Sequence, residues 1–219
     1  MKIKSTIFLS HKISKQNPVY GGRDLPVVIK KVKSIKKGDS CNTMFWSFSN
    51  HIGTHIDAPL HFINKGKSIC EFKPGDLIFT KVKLITLKNI PCGYMITSDD
   101  LKEVGDCDLL LIKTRFEIHR NKAVYWKDSV YLSSELAEWL KKKCPSLRNV
   151  GIDCISISNL KRREIGRQAH KAFLGRGILL IEDMKLNDLG DDPDMVIAAP
   201  ILVEGADASP CTVLAINYK

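Results

Sequence analysis

Three of the chain's six histidines and one carboxylate fall within a single short stretch, His51-Ile-Gly-Thr-His55-Ile-Asp57-Ala-Pro59-Leu-His61. Imidazole nitrogens and carboxylate oxygens together suit zinc, manganese or iron, and a hydrolytic site needs such ligands plus an open coordination position. A metal–nitrogen bond is only ~2.1 Å long. A straight strand would hold His51 and His55 roughly 13 Å apart at ~3.3 Å per residue. Gly53 lets the chain bend so that both rings converge, and Pro59 stops a helix from running through. Histidines four apart could share a helix face, as in a zincin. Ile52, however, stands where that motif needs its glutamate, and Gly53 disfavours the helix. The alternative is a set of unrelated polar residues, which such clustering of ligand types argues against.

The elements that must position this cluster follow from the hydrophobic pattern. Residues 25–35 and 43–50 read as extended, with Lys36-Lys-Gly38-Asp39 a turn between them, which places His51 at a strand end. Residues 77–87 read as one long strand, and the Leu-Leu-Leu-Ile within 108–114 as a buried strand of a covered sheet. A helix is predicted at 133–143, capped by Ser133 or Ser134. Leu136, Trp139 and Leu140 share one face, its lysines crowd the last turn, and Pro145 ends it. A short strand at 149–152, a helix at 166–174 and strands at 178–181, 195–203 and 211–217 complete the set. Mixed strands and helices without a linker predict a single α/β domain over 1–219 with mixed sheets.

Composition narrows the class. The chain has 219 residues, 44% hydrophobic and 26% charged, ordinary for a globular protein. No apolar run approaches the ~20 residues that span a bilayer. The start Met1-Lys-Ile-Lys has too short an apolar stretch behind it for a signal peptide, so no membrane partner and a cytoplasmic location are expected. The seven scattered cysteines form no Cys-x-x-Cys pair, which fits a reducing compartment. The net charge of +10 raises the question of a nucleic acid. Yet the runs Lys30-Lys31, Lys36-Lys37, Lys141-Lys142-Lys143 and Lys161-Arg162-Arg163 lack interleaved aromatics and match no nucleic-acid module. They read as solvated surface, and no nucleic-acid partner is expected, although an anionic substrate would be helped by the same field.

A second group of ligand types lies near strand ends. Glu182 follows the buried run at 178–181, and a carboxylate there is costly unless paired or bound to metal. His170 sits on the helix feeding that strand, so a helix–turn–strand hairpin could return Glu182 toward it.

The segment from His51 to His61 resembles the signature of the cyclase family of metal-dependent hydrolases, which includes the bacterial kynurenine formamidases. Leu9-Ser-His-Lys-Ile-Ser, Pro18-Val-Tyr20-Gly-Gly, Gly151-Ile-Asp153-Cys-Ile-Ser156-Ile, His170-Lys-Ala-Phe-Leu174, Ile181-Glu182-Asp-Met-Lys-Leu186 and Gly205-Ala-Asp-Ala-Ser-Pro210 resemble further family segments in the right order. The resemblance implies a swivelling β/β/α arrangement, assembled as a homodimer or larger oligomer. It implies two divalent metal ions, usually zinc and in some relatives manganese. His51, His55 and Asp57 would bind the first ion, and Asp57 would bridge to a second held by His170 and Glu182. His61 would be the catalytic acid/base, with a fourth ligand as its alternative role. Tyr20 stands where kynurenine formamidases carry a substrate-contacting tryptophan. Asp153 reads either as a partner to a ligating histidine or as a loop cap, His119 as surface and His11 as structural.

The expected activity is hydrolysis of a C–N bond in a small amide, with N-formylkynurenine the leading substrate. A cyclic amide or lactone would be served by the same chemistry. A non-catalytic metal-binding protein and a basic nucleic-acid-binding protein are the alternatives from other classes.

Overall fold

The computed structural model describes residues 2–22 and 26–219. In chain order its strands are β1 (Ile3–Phe8), β2 (Val28–Lys33), β3 (Thr43–Ser47), β4 (His55–Asp57), β5 (Ile78–Phe79), β6 (Val82–Thr86), β7 (Met95–Ile96), β8 (Leu109–Lys113), β9 (Tyr131–Leu132), β10 (Asn149–Ile152), β11 (Leu179–Glu182), β12 (Met195–Pro200) and β13 (Ala208–Tyr218). The helices are α1 (Val124–Lys127), α2 (Glu135–Lys143) and α3 (Arg163–Gly175). Nine strands join in one sheet, ordered β5-β12-β13-β4-β11-β10-β8-β6 with β1 beside β13. Its β6-β8-β10-β11 half is parallel, and every pairing from β11 through β4 to β5 is antiparallel. The fold is mixed α/β, as expected.

The parallel half is covered on both faces, which is why its strands read as continuous apolar runs. Leu110, Ile112, Val150, Ile152 and Leu180 pack with Leu136, Leu140, Ala169 and Phe173 of α2 and α3. Leu109, Leu111, Leu179 and Ile181 point the other way and meet Ile56, Val196 and Val213. Helix α2 falls within the predicted 133–143: Leu136 and Leu140 are buried, Trp139 is half-buried, and the lysines occupy the last turn. Helix α3 starts earlier than predicted, at Arg163, because the turn Leu160–Arg162, capped by the Asn159 side chain, leads straight into it.

The predicted long strand at 77–87 is a correction. It is two strands, β5 pairing antiparallel with β12 and β6 parallel with β8. β-propensity alone runs through Thr80 and Lys81, but their amides turn out of the ladder onto the Asp108 carboxylate, each at 3.1 Å. Arg148 Nη2 closes on the same carboxylate at 3.2 Å. The strands predicted at 43–50 and 195–203 end early, at Ser47 and Pro200, and the one at 211–217 starts early, at Ala208. Residue 25, the start of the predicted 25–35 segment, lies outside the described residues.

The hairpin β2–β3 forms a two-stranded sheet of its own. Its turn is the expected one: Gly38 takes φ 90° and the Asp39 carboxylate accepts from the Ser34 amide at 2.7 Å. No residue of either strand is buried, and Met44, Phe45 and Trp46 are exposed. Among the described residues no helix is long and apolar enough to cross a membrane, and all seven cysteines are free thiols.

Asp108→Ala should destabilise the fold by about 2–3 kcal/mol, since two partly buried amides and a guanidinium lose their acceptor. Urea denaturation beside the exposed Asp106→Ala, expected to cost under ~0.5 kcal/mol, checks this.

Candidate metal centre

Strand β4 lies at the seam where the two halves of the sheet meet, between β11 and β13. Residues two apart on a strand share a face, so His55 and Asp57 point one way while Ile56 packs into the core on the other. The register sets Glu182 of β11 opposite His55, within reach of a cross-strand pair. His51 reaches the same face from the loop before β4. Gly53 there takes φ 63°, and a Cβ at that point would press on the Asn17 side chain. The bend expected at Gly53 is therefore present, followed by a three-residue strand that the sequence reading omitted. Pro59 opens the short turn Pro59–His61, which brings His61 back over the face. His170 arrives from α3.

The distances show convergence. Asp57 Oδ1 lies 3.2 Å from His51 Nδ1 and 3.5 Å from His55 Nε2. His55 Nε2 lies 3.5 Å from Glu182 Oε2, and His170 Nε2 3.3 Å from Glu182 Oε1 and 3.7 Å from Asp57 Oδ2. His55, Asp57, His170 and Glu182 each expose 3% or less of their surface. The rings are oriented by the backbone: His55 Nδ1 lies 2.8 Å from the Gly53 carbonyl and His170 Nδ1 2.8 Å from the Gly166 carbonyl. A carbonyl only accepts, so Nδ1 carries the proton in both rings. Each Nε2 faces carboxylate oxygens, and either a proton on the ring or a cation held between the groups can join them. Asp57 Oδ1 is also buried without a hydrogen-bond partner. This donor set fits a divalent metal ion with nitrogen and oxygen ligands.

The carboxylates draw positive charge onto the neighbouring rings. Burial disfavours the charged His51 ring, but Asp57 and Asp207 outweigh it and raise its pKa to about 9. Burial likewise opposes ionisation of Asp57, yet His51 and His55 hold it well below the usual carboxylate range. His170 is raised because Glu182 and Asp57 overcome its desolvation. His61 is lowered, chiefly by burial.

Three sets of ligand atoms lie within 4.8 Å of one another: His51, His55 and Asp57; Asp57, His61 and His170; and His51, His61 and Asp207. With Glu182 beside His55 and His170, all six residues singled out around the cluster are brought together. Tyr20 lines the same cavity, of about 310 Å³. The sequence reading missed Asp207. Its Oδ2 lies 2.8 Å from His61 Nδ1 and 3.2 Å from His51 Nε2, while Asn50 Nδ2 donates to Oδ1 at 2.7 Å. Its signal was present in the segment Gly205-Ala-Asp-Ala-Ser-Pro210, without a chemical partner nearby in sequence. Ser156 was missed too: its hydroxyl donates to Glu182 Oε1 at 3.0 Å, beside the Ile157 amide at 2.7 Å.

Asp153 takes the loop-cap alternative. It accepts from the Thr114 amide and hydroxyl and the Arg115 amide, and contacts no histidine. His119 packs edge-on against Phe116, away from the cluster. His11 lies 3.8 Å from Glu117, and burial lowers its pKa to about 4. Beside Glu182, Asp183 adopts φ 50° and is held by Arg120 at 2.8 and 2.7 Å and by the Tyr125 hydroxyl at 2.6 Å.

The Cyclase family model matches residues 7–159, and the chain belongs to that family; it is an enzyme of the cyclase family. Among its relatives are kynurenine formamidases of Bacillus thuringiensis (strain Al Hakam) and Bacillus anthracis, each 27% identical over 213 residues with 96% of both chains covered. A solved structure described as a potential metal-dependent hydrolase with cyclase activity is 25% identical, with a TM-score of 0.78 and 98% of both chains covered. Isatin hydrolase A from Ralstonia solanacearum shares the fold at a TM-score of 0.82 and 18% identity, over 98% of this chain and 92% of that one.

Gly166 lets the 156–158 loop lie against α3, since a methyl group there would overlap Ser158 Oγ, itself 3.2 Å from His170 Nδ1. Helix propensity alone predicts that Gly166→Ala stabilises by ~1 kcal/mol. Overpacking of ~1–3 kcal/mol should reverse the sign, so the thermal midpoint is expected to fall. A rise would show that the loop yields freely.

Proposed function

We propose that the protein is a metal-dependent hydrolase cleaving the C–N bond of a small amide, with an N-formyl aryl amine such as N-formylkynurenine the leading substrate. The observation that carries this reading is the pair of buried carboxylates, Asp57 and Glu182, facing the Nε2 atoms of two rings whose Nδ1 atoms are held by backbone carbonyls. In this reading His51, His55 and Asp57 would hold one divalent ion, and Asp57, His170 and Glu182 a second. Zinc suits the ligand set, with manganese the alternative. Bound there, the metal supplies Lewis acidity, polarising a carbonyl and lowering the pKa of water toward ~7.

The remaining work falls to side chains. An amide nitrogen leaves poorly as an anion and needs a proton. His61 would deliver it from Nε2, because Nδ1 is committed to Asp207 at 2.8 Å. Burial keeps the His61 ring neutral more readily, so it can take a proton before giving one up. The Asp207 carboxylate orients that ring and supports its charge, while also facing His51 Nε2. Asp207 would thus tie the acid/base to a metal ligand through one carboxylate. Phe62 stacks on His170 at 4.5 Å, fixing that ring and walling the cavity. Tyr20 offers an aromatic surface to an aryl substrate.

The assembly belongs to the same proposal. A homodimer, which the family resemblance implies, would cover the exposed Met44, Phe45 and Trp46 of the β2–β3 hairpin. Light scattering should return the mass of at least two chains; a monomer would remove this part.

Elemental analysis of purified protein, beside N-formylkynurenine hydrolysis with and without chelator, tests the reading. About two ions per chain with chelator-sensitive turnover are expected. Two ions without turnover would redirect the substrate search to cyclic amides and lactones. His61→Ala should keep its metal and lose at least ~100-fold in kcat; parallel loss of metal would make His61 a ligand. Asp57→Ala should lose metal from both positions, and retention of two ions would end the bridging role.

A further inference from the structure

Helix α3 brings three side chains to the wall of the candidate site. Arg163, Arg167 and His170 stand at i, i+4 and i+7, spacing that falls on one helix face, and all three line the cavity of the histidine cluster. At ~1.5 Å per residue, Arg167 lies roughly 4.5 Å and Arg163 roughly 10.5 Å along the axis from His170. The face thus runs from a buried imidazole to two exposed guanidinium groups.

Little within the protein neutralises them. Among the described residues the Arg163 side chain has no ion pair, and Arg167 has one at 3.4 Å, to an exposed Glu164. Such a pair contributes little. Of the run Lys161-Arg162-Arg163, read from sequence as solvated surface, Lys161 pairs with Asp128 at 2.7 Å, whereas Arg163 turns to the cavity. Cations in the first turns of a helix also oppose its dipole, so local folding gives no reason for them. The cavity's one acidic lining residue among those described is Glu182, already engaged by Ser156 and Ile157.

We propose that Arg163 and Arg167 read a carboxylate on the substrate, at the end remote from the scissile bond and one to two helical turns from His170. The inference rests on the hydrolase reading and narrows its substrate to an anionic amide. A guanidinium fork matches a carboxylate in two parallel hydrogen bonds, which a neutral carboxamide cannot reproduce.

The probes are 4-(2-formamidophenyl)-4-oxobutanoate and its primary carboxamide, which differ in charge and little in shape. Wild-type kcat/KM should favour the carboxylate by about tenfold at low salt, chiefly through KM, and the preference should shrink as salt rises. It should collapse in the Arg163→Ala/Arg167→Ala double variant and return in part with lysines. A preference unchanged in the double variant overturns the proposal. Calorimetry with the two deformylated amines gives a readout without turnover. Tighter binding of the carboxylate amine, lost in the double variant, supports the proposal even if neither formamide is hydrolysed and the hydrolase reading fails. Equal or undetectable binding in wild type and variant overturns it.

Discussion

Asp57 and Glu182 are buried within a few ångströms of each other's histidine partners, and the rest of the site is arranged around that crowding. Two carboxylates in a low-dielectric interior repel one another and lose their hydration. The fold surrounds them with imidazoles at 3.2 to 3.7 Å and supplies hydroxyl and amide donors to one oxygen of Glu182. It leaves Asp57 Oδ1 without a donor. A cation at this point is the missing half of the electrostatics, which is why the donor set reads as a metal centre rather than as an ordinary buried ion pair.

The sheet makes the crowding possible. A parallel strand followed by an antiparallel one places strand ends and a loop at the same edge, and the three-residue β4 occupies that seam. Hydrogen bonds on both sides of β4 fix the register, and a slip of one residue would turn His55 and Asp57 into the core. The close approach at Gly166 and the left-handed turn at Asp183 then hold α3 and the end of β11 where His170 and Glu182 meet.

Much of this was legible in the sequence where cause and effect are local. His51, His55, Asp57 and His61 lie close enough along the chain that a bend and a period of two bring them together. His170 and Glu182 were legible because a helix running into a strand is a compact unit. Asp207 was not: it is 146 residues from its partner His61, and its own segment holds no chemical partner that would assign it a role. The split of 77–87 was hidden for the same reason, since Asp108, which captures the amides of Thr80 and Lys81, lies beyond the window that propensity samples. Asp153, legible as a carboxylate at a strand end, needed the structure to show which donors it meets.

The distribution of these residues along the chain has a consequence for how the protein matures. The cluster draws on the loop at His51, on β4, on α3 and on β11, and Asp207 joins from just before β13. The segment 51–57 carries three of the candidate ligands, His51, His55 and Asp57, whereas His170 and Glu182 come from the distant α3 and β11. Chain closure over such separations is slow relative to local helix formation. The full candidate set therefore exists only once β4, α3 and β11 are in place. Any ion that binds this assembled set and not the unfolded chain adds to the stability of the folded form.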